Sequence, residues 1–137
     1  MAIVFPSQEF LTELARLLNE DREYEQSAKT FEGGLTLILE PDDKVKKKHY
    51  IYMEPKNGKI VEARMLSSPS EKDAAFVLTG PYSAWKDVVL GKQDAVSSLM
   101  KGKLRLKQGK MAVLLKNVKS SQITMKTMQK IPCEFLG

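Results

Sequence analysis

The amino-acid sequence predicts an α+β fold, a five-stranded and mostly antiparallel sheet covered on one face by short helices. Three observations carry this expectation. Apolar residues recur at three- and four-residue intervals over residues 7–19 and again beyond Ser83. Between those stretches, and once more near Arg105, the pattern switches to alternation. Turn residues punctuate the switches: Gly33-Gly34, Pro41-Asp42-Asp43, Asn57-Gly58, Gly80-Pro81 and Gly109. No internal repeat or low-complexity tract breaks the order, and 137 residues fit one domain with a core of its own.

The elements follow in order. Pro6 and Ser7 signal a helix start, and Phe10, Leu11, Leu14, Leu17 and Leu18 give residues 7–19 one oily face. Residues 19–31 continue in helix formers until the glycine pair, so a second short helix is expected. In strand one Leu35, Leu37 and Leu39 share a face, and in strand two His49, Ile51 and Met53 do. Asn57-Gly58 is a strong hairpin signal, since both residues tolerate positive φ, and Val61, Ala63 and Met65 alternate beyond it with Glu62 and Arg64. A polar loop, 67–73, precedes a fourth strand through "AAFVLT". Two short helices follow, one with Trp85, Val88 and Val89, the next with Ala95, Val96, Leu99 and Met100. "GKLRLKQG" is strand five, with Leu104 and Leu106 on one side and Lys103, Arg105 and Lys107 on the other. Met111, Leu114, Leu115, Val118 and Met125 space a final helix, broken near Ser120 and Ser121.

Across the strands one face is apolar; the other, carrying Thr36, Glu40, Glu62, Arg64 and cations, is expected to be wet. The apolar stripe reads as ordinary core or as the wall of a hollow. Methionine is unbranched and adapts to irregular space, so Met53, Met65, Met100, Met111, Met125 and Met128 suit a pliable lining.

Charge and motifs bound the function. A net charge of +5 and a pI near 9.3 favour anionic partners. The stretch "KVKKKHYIYM" joins four cations to two tyrosines, a composition that also occurs in nucleic-acid sites; an edge strand protected by lysines is the favoured reading, and no nucleic acid is expected. No apolar run reaches the roughly 18 residues of a membrane span, and the lone cysteine, Cys133, forms no internal disulfide, so a cytoplasmic location is expected. GxGxxG, P-loop, HExxH and zinc-spaced cysteine motifs are absent, so no catalytic residue, metal or cofactor is expected.

Residues 80–118, "GPYSAWKDVVLGKQDAVSSLMKGKLRLKQGKMAVLLKNV", resemble the core of the sterol carrier protein family of small lipid-binding domains. "FPSQEFLTELARLLNED", the two-glycine entry to strand one and the "NGKI" hairpin extend the likeness over nearly the whole chain. The terminus "EFLG" lacks the Ser-Lys-Leu type ending of peroxisomal relatives. The resemblance implies a stand-alone lipid-binding domain over 1–137, with a crossover between the third and fourth strands. It also implies an apolar tunnel that takes fatty acyl, sterol-like or prenyl lipids. Phe76, Leu78, Leu104 and Leu106 are then expected on its floor, and Trp85, Val89, Met100, Met111, Leu115 and Met125 in its roof. His49 is a candidate headgroup contact. Lys101, Lys103, Arg105, Lys107 and Lys110 are candidates for docking on an anionic membrane or on an enzyme to which a polyprenyl or quinone-type lipid is presented. Such a site needs no reactive group: about twelve buried methylenes offer roughly 10 kcal/mol before immobilisation costs.

Overall fold

The computed structural model describes residues 2–136. Strand β1 (Ile3–Phe5) leads into helix α1 (Gln8–Asn19), whose start is set by Ser7: its hydroxyl accepts from the Phe10 amide at 3.1 Å. Phe10, Leu11, Leu14 and Leu18 bury the oily face of α1. Asp21 caps α2 (Arg22–Ser27) in the same way, and α2 buries Tyr24.

Strands β2 (Leu35–Glu40), β3 (His49–Lys56), β4 (Lys59–Leu66), β5 (Phe76–Pro81) and β6 (Arg105–Gln108) form one sheet in the order β4-β3-β2-β5-β6. Only β2 and β5 pair in parallel, so the sheet is mixed rather than purely antiparallel. Asn57 (φ 53°) and Gly58 (φ 77°) both adopt the left-handed conformation that a tight β3–β4 turn requires. The register then slips between Glu54 and Pro55. This bulge turns Ile60 into the core and leaves Val61 55% exposed, against the simple alternation that grouped Val61 with Ala63 and Met65.

The lysine-rich approach to β3 does not lead to an edge strand, because β3 lies between β4 and β2. The edges are β4 and β6. Edge β4 is covered by α1 through two amide side chains. Gln8 accepts from the Met65 amide and donates to the Ala63 carbonyl, both at 3.0 Å. Asn19 repeats this on Ile60, accepting at 2.7 Å and donating at 3.0 Å. The spacing fits: eleven helical residues and five strand residues each span about 16 Å.

The face predicted to be wet is partly covered. The connection from Ser67 to Ala75 crosses it, where Tyr52, Leu66 and Ala74 form a second small cluster. Lys72 stands 4.9 Å above the Tyr52 ring and pairs with Glu62 at 2.8 Å. Thr36, which the alternation exposes, is 0% exposed beneath this cover.

The other face carries the helices α3 (Tyr82–Val89), α4 (Ala95–Met100), α5 (Met111–Leu115) and α6 (Val118–Met128). The final helical stretch divides at Lys116-Asn117 instead of at the serines: the Asn117 side chain donates back to the Val113 carbonyl and ends α5. Strand β7 (Cys133–Phe135) pairs in parallel with β1, forming a two-stranded sheet that the sequence reading lacks. The Tyr82 hydroxyl ties this pair to α3, donating to the Phe5 carbonyl at 2.6 Å and accepting from the Leu136 amide at 3.1 Å.

Candidate functional site

Leu35 and Leu37 occupy the inward face of the central strand β2, where a close-packed core leaves almost no accessible surface. Both keep partial exposure, as does Met53, opposite Leu35 on β3. These side chains face a cavity of about 130 Å³ between the sheet and the helices. Leu35, Leu37, Ile51, Met53, Ile60 and Leu78 form its sheet side; α1 contributes Phe10, Leu11 and Leu14, α3 contributes Trp85, Val88 and Val89, and Leu114 closes another side. Trp85 is held in place by its indole N–H, which donates to the Ile38 carbonyl at 3.0 Å.

A dry cavity of about 150 Å³ is enough to take up benzene, whereas pockets for larger ligands run to about 300–1,000 Å³. A cavity of this size would hold a long chain only if the helices moved apart. Short α5 is a weakly held wall, since Leu114 is its one buried residue.

Among the described residues no Lys, Arg, His, Asp or Glu lines the cavity. Burial pushes the Tyr24 phenol up to about 12, so it stays neutral near pH 7. One group of wall residues is polar. Asn117, Ser120, Ser121 and Thr124 stand at the spacing i, i+3, i+4, i+7, which brings them to one side of α6. Ser120 and Thr124 donate at 2.8 Å to the carbonyls of Asn117 and Ser120, and the Ser121 hydroxyl accepts from the Val96 amide at 3.3 Å.

Of the ten lining residues expected from the sequence, Leu78, Trp85 and Val89 lie in the cavity wall and seven lie elsewhere. Phe76 packs on Phe31, with ring centroids 5.8 Å apart. Leu104 is buried in the core beside Gly80. Leu106, Met111 and Met125 are half-buried outside the wall. Met100 is 59% exposed and Leu115 42%. The short helices explain these last two positions, because Val96 and Leu114 fill their inward positions on α4 and α5. Of the candidate methionines, Met53 and Met128 line the cavity. His49 opens β3 opposite Leu39, outside the wall; burial and the nearby Lys47 charge hold its imidazole below the ordinary value. Cys133 is half-buried, and its thiol is pushed up by burial.

Apart from Met53, the sequence reading did not assign the inward residues of β2, β3 and α1 to a cavity wall, nor the α6 polar group. The i, i+3, i+4, i+7 spacing of Asn, Ser, Ser and Thr was the available signal. It was hidden because Met125 and Val118 drew the apolar face of that helix elsewhere.

Outside the cavity, charge is segregated along the chain. Residues 95–133 hold nine of the 22 Lys and Arg and none of the 17 Asp and Glu, leaving 13 cations against 17 acids elsewhere. Lys101, Lys103, Arg105, Lys107 and Lys110 are all exposed, and Lys116, Lys119, Lys126 and Lys130 join them. Among the described residues none of the nine lies in an ion pair. The tyrosines after the lysine run are poorly placed for base stacking: Tyr52 is 3% exposed, and Tyr50 is half-buried in the interior strand β3.

Among the described residues no cluster of His, Cys, Asp and Glu could hold a metal, and no helix is long and apolar enough to cross a membrane. No curated protein matches the chain. The crystal structure of a sterol carrier protein 2 is similar over 91% of this chain and 97% of that one, at 28% identity and a TM-score of 0.81. A conserved hypothetical protein of Thermus thermophilus, whose description suggests a sterol carrier protein, is similar over 93% of this chain and 90% of that one. Its identity is also 28%, with a TM-score of 0.83. A ubiquinone synthesis protein, UbiJ, shares the fold at 12% identity and a TM-score of 0.55, over 85% of this chain and 88% of that one. Residues 11–120 match the model of the SCP-2 sterol transfer family, and with the shared mixed sheet and helical cover this places the chain in that family.

Proposed function

We propose that the protein is a non-catalytic carrier that takes the apolar part of a lipid into the cavity between sheet and helices. Fatty acyl, sterol-like and prenyl chains are the ligand classes in view. The single observation that carries this reading is the unfilled inward face of the central strands at Leu35, Leu37 and Met53. The described wall residues include no carboxylate, imidazole or amine to activate the wall hydroxyls, and the wall favours burial of methylenes at about 0.8 kcal/mol each. The test is mass spectrometry of an organic extract of the purified protein beside a mock-purified control. A stoichiometric lipid supports the reading. An empty extract, together with a protein that fails to bind an uncharged fluorescent lipid analogue, refutes it.

The partner side of the proposal rests on charge. The strip from Met100 to Lys116 buries only Leu104 and Leu114, and it combines five exposed cations at 101–110 with exposed Met100 and Leu115. It contains no aromatic residue, the type that protein interfaces and single-stranded nucleic-acid sites favour. An anionic bilayer surface suits this chemistry best. An acidic enzyme that receives a quinone-type lipid is the second reading, suggested by the name of the ubiquinone synthesis neighbour.

A further inference from the structure

The polar residues of the cavity wall are all neutral, and they offer both donors and acceptors. The Ser120 and Thr124 hydroxyls spend their protons on backbone carbonyls, which leaves oxygen lone pairs for a ligand. One N–H of the Asn117 amide is engaged by the Val113 carbonyl at 2.7 Å, leaving its second N–H and its Oδ1. Ser121 is the converse: its oxygen takes the Val96 amide, leaving its O–H to donate. Tyr24 adds a phenol that makes no hydrogen bond among the described residues. A hydroxyl, which both donates and accepts, can satisfy such a set. A carboxylate only accepts, so it would leave the wall's acceptor oxygens without a donor and give up its water with no cation among the described lining residues.

We propose that Asn117, Ser120, Ser121 and Thr124 form a head-group subsite in the cavity that selects lipids with a neutral, hydroxyl-type head over lipids with an ionised carboxylate. The inference rests on the cavity being the ligand site, and the experiment separates the two. Dodecane, dodecanol and dodecanoic acid compete with an uncharged environment-sensitive dye, first at about pH 8, where the acid is fully ionised. Dodecanol is expected to bind about tenfold or more tightly than dodecanoate. Lowering the pH to about 5 is expected to narrow that gap by strengthening the acid alone.

The double variant Asn117→Leu, Ser121→Ala is expected to bring dodecanol down toward dodecane, read as the alcohol-to-alkane affinity ratio, and thermal unfolding reports whether the variant folds. If neither the dye nor any of the three ligands binds, the cavity reading itself fails, and this inference with it. If dye and dodecane bind but dodecanoate equals or exceeds dodecanol at about pH 8, the cavity stands and the subsite is refuted; the head then sits in solvent or on the amides at the start of α6. An unchanged alcohol-to-acid ratio in the double variant likewise refutes it.

Discussion

Tyr82 shows how much one polar atom can hold. Its hydroxyl is the shared partner of the Phe5 carbonyl and the Leu136 amide, joining β1, β7 and α3 at one point. Tyr82→Phe leaves the Phe5 carbonyl without that donor, and chemical denaturation should show a loss of about 1–3 kcal/mol. His49 contributes through protonation. Burial, reinforced by the Lys47 charge, depresses its folded-state value, so the unfolded chain binds the proton more readily. Stability from this group is therefore full above about pH 6.5 and falls as the pH drops toward the depressed folded value. The carboxylates of Glu13, Asp42 and Glu71, all held below their usual range, lose their contributions in a more acid window. Unfolding midpoints of wild type and His49→Gln should diverge between about pH 7 and about pH 5, with the variant flatter; parallel curves would remove the His49 term.

At the scale of elements, the central tension lies between a small cavity and a large ligand. The sheet side is held by pairing on both flanks of β2, and α1 is bound to the β4 edge by Gln8 and Asn19. Helix α5 has neither support: it has five residues and one buried side chain, and that side chain is in the cavity wall. Local opening concentrates where apolar burial is sparse. Amides of α5 should exchange faster than those of α1 in the empty protein and slow on binding a lipid analogue. Equal protection before and after binding would place the moving wall elsewhere.

The same elements show what sequence alone can carry. Strong periodicity gave α1, the five strands and the Asn57-Gly58 turn nearly to the residue, because each is dictated locally. What it missed depends on distant chain. Val61 and Ile60 exchange faces through a bulge, Thr36 is sealed by a crossover loop, and β1 with β7 are three-residue strands held by pairing with each other, by Tyr82 and by the packing of Phe5 on Phe10. Three of the ten residues expected to line the candidate site coincide with the cavity wall. Leu78, Trp85 and Val89 stand where an inward apolar residue was expected, but Met100 and Leu115 turn outward because each short helix has few inward positions. An alternating pattern identifies which residues share a face; it does not show whether that face is filled.

The whole molecule combines an uncharged cavity with a polarised exterior. A segment bearing nine cations and no acid supplies α4, α5 and α6, so exposed cations lie on α6 or flank α4 and α5, the helices that carry Ser121, Val96 and Leu114 in the cavity wall. Contact with an anionic surface would thus act on the elements that must part for a ligand. Co-sedimentation should show binding to vesicles containing phosphatidylserine and little binding to neutral ones, weakening as salt rises. Glu substitutions at Lys103, Lys107 and Lys110 should reduce binding by about tenfold or more, while dye binding in solution is retained. Indifference to lipid charge would leave the strip as a solvated surface.

The most direct test of the central claim is a titration of the purified, delipidated protein with an uncharged fluorescent lipid analogue, run in parallel on Leu37→Trp. The indole would occupy the space beside the central strand, and thermal unfolding would verify that the variant folds. Saturable binding at one ligand per chain in the wild type, with a loss of about tenfold or more in the folded variant, is the predicted result. Equal binding by both proteins, or none by the wild type, would contradict the account of a ligand-holding cavity.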